Sequence, residues 1–421
     1  MRLSTKTLLA ATALTGLTTL PALAQDAVPA DDAVVVVVDQ LQLGDVFADM
    51  TVVVEENAAG ATAAATAIGN TSSAPIESGD VDYDAQQQNN GLIQASTTIV
   101  GGPVFNGPVS TVTTAYGNTA TSSTQNGTAF HRAEQTSSGL VSAYSDIFLD
   151  GADDVSATTT AAANVSTYST SNGANRGFQE QLTTGDVQSV TTADICCNNS
   201  SVQIGSTATG NTLTSTGATT TSYNGAVQQT GDINIYAESD IRVESGTSVA
   251  GSATASGNSA TVHNEWGYAT LGREGSELSQ QNSASTAAVT TVSLDTFSGT
   301  SGATSYGVGN SALISNVGSD TGLFANQMND GDIYSYASFD GGYSNGSAGY
   351  ASSTAIGNAA TATLCYTCGS GVLTGQTQQI NSAGVTAYGR TTTTAGGFVS
   401  GAASAIGNSA TYQSFGTDGG G

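Results

Sequence analysis

Cys365-Tyr366-Thr367-Cys368 is the segment of this sequence best suited to chemistry. A Cys-x-x-Cys pair can close a disulfide, hold zinc or exchange electrons. Redox work of the thioredoxin kind needs a surrounding βαβ pattern, and none is present. Zinc needs further ligands, and the remaining cysteines are the adjacent Cys196-Cys197, which suit neither a relaxed disulfide nor a typical zinc knuckle. The expectation is a disulfide, Cys365 to Cys368, stapling a turn. The pairing of Cys196 and Cys197 stays open, and no metal or cofactor is expected.

The other reactive types are sparse. His131 and His263 are the two histidines, and neither sits at a repeated position, so both read as solvent-facing. No G-x-S-x-G elbow marks a serine nucleophile. Gly79-Asp80, Gly185-Asp186, Gly231-Asp232 and Gly331-Asp332 recur, but the tandem G-G-x-G-x-D of calcium-binding repeats is absent. Solvated turns are the plain reading of these aspartates, and weak calcium binding is the alternative. A polysaccharide-acting enzyme on a β-helix needs a base and charge stabilisers beside an acidic cluster. Lysine is absent beyond Lys6, and Arg132, Arg176, Arg242, Arg273 and Arg390 look scattered. A non-enzymatic protein is therefore expected. Trp266 reads as a packing residue, with sugar stacking as the alternative.

Residues 1–24 read as a secretory signal peptide. A basic head with Arg2 and Lys6 precedes an apolar run, and Ala22-Leu23-Ala24 offers small residues for cleavage before Gln25. Without Arg2 and Lys6 the chain keeps five cations, all arginine, against 33 acidic residues, a formal charge of −28. Such a surface repels a phosphate backbone, which excludes nucleic acid as a partner. Gly, Ala, Ser, Thr and Asn dominate, so a wide core of leucine and phenylalanine cannot be built. Either the chain is disordered or it winds as a narrow solenoid.

Repetition decides for the solenoid. Gly-Asn pairs follow Ala/Thr-rich runs at Gly69-Asn70, Gly117-Asn118, Gly210-Asn211, Gly257-Asn258, Gly309-Asn310, Gly357-Asn358 and Gly407-Asn408, with a degenerate copy at Asn164. Successive asparagines lie 48, 46, 47, 47, 52, 48 and 50 residues apart. A Gln-rich segment follows each of the first seven, at Gln88, Gln135, Gln181, Gln229, Gln281, Gln327 and Gln379, and reads as a turn. After it, Ile233, Ile235 and Ala237 alternate in the period of a strand, and Ile241 and Val243 keep the parity. The Gly-Asn pairs read as structural repeat turns needing positive φ, where stacked asparagines can also form an amide ladder. All five prolines fall at or before Pro108, as stacked strands require.

The fold expected is all-β, a β-solenoid or β-helix of seven to eight repeats of about 47 residues. Two coils per repeat would give some fifteen coils and a rod of roughly 70 Å. The organisation expected is repeats over 61–412 and a Gly-rich tail over 413–421. Residues 25–60, with the valine run Val34 to Val38, form a capping or partner-pairing segment able to self-associate. The tail reads as leaving the far end without a comparable strand.

An acidic, exported repeat chain with Ala-Ile-Gly-Asn strings and Gln-rich segments resembles the holdfast attachment proteins of stalked bacteria, in particular the D component (HfaD). The resemblance implies a cell-surface, outer-membrane-associated structural protein that anchors an adhesive polysaccharide holdfast. Its implied partners are other holdfast anchor proteins, a curli-type secretion pore and the holdfast polysaccharide. Gln and Asn at fixed places are loosely similar to curli repeats, and Ala405 to Ala410 is similar to the head repeats of trimeric autotransporter adhesins. The competing reading is a sugar- or ice-binding solenoid using threonine rows such as Thr391 to Thr394.

Overall fold

The computed structural model describes residues 33–54, 59–102, 107–197, 201–344, 348–365, 371–395 and 397–415. The leader, Cys368 and most of the Gly-rich tail lie outside the described residues. Chain order sets up the winding. Strands β1 (Val34–Gln42) and β2 (Val46–Val54) are followed by β3 (Ala61–Ile76), β4 (Val81–Asn89), β5 (Ile93–Gly101) and β6 (Val109–Gln125). β4 lies parallel on β1 with Val81 beside Val34, β5 lies on β2, and β6 lies on β3 with Val109 beside Ala61. The chain thus returns to the same sheet after every third strand. Three parallel sheets result: a glutamine sheet containing β1 and β4, a third sheet containing β2 and β5, and a long sheet containing β3 and β6.

One repeat is therefore one coil with three sides, not two coils. The long and third sheets each have eight strands; the glutamine sheet has nine because one rung is split into Ala269–Leu271 and Leu278–Asn282. Rungs about 4.8 Å apart make a rod of roughly 35–40 Å, half the length expected from two coils per repeat. Both sequence markers are strand residues and not turns. Gly69-Asn70 lies in the middle of β3, and the Gln-rich segment lies inside β4.

Gly-Asn does something other than turn. In β3 the inward residues are Ala61, Ala63, Ala65 and Ala67, then Asn70, Ser72 and Ala74, so the alternation shifts by one at Gly69. The first half of the strand then packs on the third sheet (Ala65 and Ala67 with Ile93 and Ala95) and the second half on the glutamine sheet (Ala74 with Tyr83 and Ala85). A Cβ on Gly69 would come within 2.6 Å of the Gly117 carbonyl oxygen, so the constraint is close stacking rather than φ. Positive φ occurs instead at the corner leading from the long sheet to the glutamine sheet, in the stacked series Asn126 (φ 55), Asn172 (54), Thr219 (54), Trp266 (58) and Gly318 (78). Each donates its backbone N–H to the strand end one coil on, as Asn126 does to Ser171 and Gly318 to Cys365. Asparagine and glycine tolerate this left-handed backbone.

Residues 34–54 form two sides of the first coil, continuous with the sheets that follow. The far end does not fade: Phe398–Phe415 is an 18-residue strand of the long sheet. Replacing the wholly buried Asn258 by leucine breaks three hydrogen bonds, from Asn211, to the Gln281 carbonyl and to Asn310. The expected cost is on the order of 3–5 kcal/mol. Because each coil contacts only its neighbours, proteolysis of Asn258→Leu should first cut near residue 258 and leave resistant flanks. Simultaneous loss of all protected fragments would show one indivisible core instead.

Candidate functional site

Inside the rod the asparagines form one continuous ladder. The Asn70 amide donates to Asn118 Oδ1 at 2.8 Å, and the same bond passes through Asn164, Asn211, Asn258, Asn310 and Asn358 to Asn408. From Asn70 to Asn358 the second N–H of each goes to a backbone carbonyl of the glutamine sheet, such as that of Gln88. A glutamine ladder runs beside it through Gln40, Gln87, Gln135, Gln181, Gln228, Gln280, Gln327 and Gln379. These are strand residues, and three differ by one from the glutamines the sequence suggested at 88, 229 and 281. Each glutamine also donates to a long-sheet carbonyl, as Gln87 does to Thr119. The asparagines donate toward the C-terminal end and the glutamines toward the N-terminal end, so the two columns of dipoles oppose each other.

The other expected site residues fall apart. Cys196 Sγ lies 3.1 Å from Glu244 Oε2, Cys365 is half-buried, and its proposed partner Cys368 is outside the described residues. Three of the four recurrent aspartates cap backbone: Asp80 Oδ1 accepts the Thr128 N–H, Asp186 that of Asn234 and Asp332 that of Gly384. That gives these three a structural role, and no group of three or more metal-ligating side chains occurs among the described residues. Trp266 is half-exposed at its corner, with its ring against Gly318. His263 faces solvent 3.7 Å from Glu265. His131, by contrast, is buried, not solvent-facing. Its ring stacks on Tyr168 at 4.8 Å, its Nδ1 meets Ser122, and burial pushes its pKa down to about 3. Tyr168 can reach it because the register neighbour of His131 is Gly177, where a Cβ would collide with the Tyr168 hydroxyl.

The arginines are not scattered in three dimensions. Register places Asp82, Phe130, Arg176 and Tyr223 in one outward file of the glutamine sheet, and Asp84, Arg132, Phe178 and Gly225 in the next. Arg176 lies over the Phe130 ring at 5.6 Å, and Arg132 stands 4.0 Å from Glu134. With Arg273 they line an open depression of about 720 Å³. Burial raises the Asp84 carboxyl above its ordinary range, while the Arg132 guanidinium pulls it back. Aromatic faces beside fixed charged groups suit the CH faces and hydroxyls of a sugar. Aligning the repeats on their asparagines would have revealed these files; the linear spacing hides them.

A family model described as holdfast attachment protein D matches residues 12–103 and 55–332. The chain belongs to the holdfast attachment protein D family. No curated protein and no solved structure matches it. Membership places the chain among structural proteins of holdfast attachment, at the cell surface and in association with holdfast components. No helix among the described residues is long and apolar enough to cross a membrane.

In this family member, His131 should leave a pH signature. Its folded value lies below the ordinary 6.5, so the unfolded chain binds the proton more readily. The stability contribution is full above pH 6.5 and shrinks as pH falls toward 3. Asp82, Asp84, Glu134 and Asp146 have raised values and act in the opposite sense, but they are common to wild type and variant. Urea midpoints followed from pH 7 to 4 should fall less for His131→Phe than for wild type. Parallel curves would place the imidazole in a solvated site.

Proposed function

We infer that this chain is an exported cell-surface protein that anchors an adhesive polysaccharide holdfast to the outer membrane, working with other holdfast anchor proteins and a curli-type secretion pore. The match to holdfast attachment protein D carries this reading. Two structural features support it. A rod whose coils are cross-linked by backbone bonds and two amide ladders resists stretching locally, because every coil must open several bonds at once. The aromatic and arginine files of Phe130, Arg176, Tyr223, Arg132 and Phe178 give a polysaccharide chain a ready surface on the glutamine sheet.

A second reading, a sugar- or ice-binding solenoid, has one observation in its favour: Thr66, Thr114, Thr160, Thr207 and Thr254 form a single outward rank up the long sheet. The row Thr391 to Thr394 does not extend it, since Thr391 and Thr392 neighbour Phe339 and Asp340. In a deletion strain under flow, adhesive material should be shed into the medium and surface attachment lost. Complementation with Arg176→Ala/Tyr223→Ala should restore surface display but retain less polysaccharide. Unchanged attachment in the deletion strain would overturn the anchoring role. Thermal hysteresis by the purified protein would favour the ice-binding reading.

A further inference from the structure

The two described ends of the solenoid stop at the same angular position. The first coil is complete, with β1, β2 and β3 on its three sides, and none of these strands has a described neighbour on its N-terminal side. The last coil is likewise three-sided, with Leu373–Asn381, Val385–Ala395 and Phe398–Phe415, and no described strand lies beyond any of them. Each end therefore presents three open parallel strand edges. Both also expose inward-facing residues that elsewhere in the rod are covered, among them Val34 at one end and Val399 and Tyr412 at the other.

The ladders make the match directional. Asn408 Oδ1 accepts from Asn358, which leaves the Asn408 amide N–H groups pointing onward. At the other end Asn70 donates to Asn118 and Gln88, and among the described residues nothing donates to its Oδ1. The glutamine ladder runs the opposite way and is matched too. Gln379 donates to Gln327, leaving its Oε1 open, while Gln40 uses one N–H on the Thr71 carbonyl and has the other to give. Continuing the registers across the gap sets Asn408 on Asn70 and Gln379 on Gln40. On the outer surface it sets Tyr388 on Asp49, which makes the cationic Arg390 a diagonal neighbour of Asp49. A free donor thus meets a free acceptor in both columns, and a cation meets an anion.

We propose that copies of this chain stack head to tail. Leu373–Asn381, Val385–Ala395 and Phe398–Phe415 of one copy lie against β1, β2 and β3 of the next, so that each of the three sheets runs on from one molecule into the other. Strand edges recruit strands, and here the geometry selects a second copy because the joint reproduces the internal repeat. Self-association is therefore a property of both ends, not of the valine run alone. The high negative charge opposes it at low salt, and screening favours it. This goes beyond the holdfast reading and is tested on the purified chain from residue 25, so either can fail without the other.

Sedimentation velocity should show linear oligomers that grow with protein concentration and with salt. Ala405→Lys puts a charge into the joint at the free end of the rod, where folding of the other coils does not depend on it. It should weaken association at least about tenfold. Thr71→Cys with Ser409→Cys, which continued register makes neighbours only across the joint, should give a ladder of disulfide-linked oligomers on oxidation that the parent protein does not form. A monomer at all concentrations and salts overturns the proposal. So do oligomers that are indifferent to Ala405→Lys and fail to cross-link.

Discussion

A buried amide must have partners for both of its N–H bonds and for its oxygen, and this requirement governs the rod. The asparagine and glutamine columns meet it by recurring at the same place one coil above and one below, whereas Asn224 meets it through Tyr168, Ser222 and the Thr270 carbonyl. Asn118, between Asn70 and Asn164, meets it, with its spare N–H on the Thr136 carbonyl. A slip of one residue in any long-sheet or glutamine-sheet strand would strand two amides and turn the inward residues out, at a cost of several kcal/mol. The ladders therefore fix register where alanine and serine, being small and interchangeable, fix it weakly.

The narrow interior follows from the same arrangement. At the Ala67 position alanine recurs as Ala115, Ala161, Ala208 and Ala255, while the Ala61 position at the start of the strand takes Val109, Val155 and Val202 in the coils above. Where a coil carries bulk, a neighbour gives way, as Gly177 does for Tyr168. Hydroxyls fill what alanine leaves: Thr97 bonds to Thr113 at 2.6 Å and to Ser145 at 3.0 Å, tying the third sheet to the long one. The aspartates at the corners cap backbone N–H groups one coil on, so part of the large negative charge is structural.

A rod built this way leaves its outward side chains free of folding duties. That freedom lets one face carry aromatics and arginines and another carry threonines, while the asparagine and glutamine columns recur inside from coil to coil. Attachment needs such a division, with the strength inside and the contact surface outside.

The sequence by itself determined that the chain is a β-solenoid, because the amide requirement writes a repeat of near-constant length into the residue order. It also determined the asparagine column, since Asn70 to Asn408 recur at near-constant spacing. The three-sided coil was not legible. A residue spacing gives the perimeter of a coil but not its corners, and Gly-Asn, a turn dipeptide in most settings, here sits in mid-strand because neighbouring coils leave no room for a Cβ. The burial of His131 was hidden for a related reason: its ring is covered by Tyr168 from the opposite sheet, through the space above Gly177. The arginine files were hidden because parallel stacking brings Arg132 and Arg176 together across a whole coil of intervening sequence. Distances along the chain report on the period of the rod, and only tertiary packing decides which residues face one another across it.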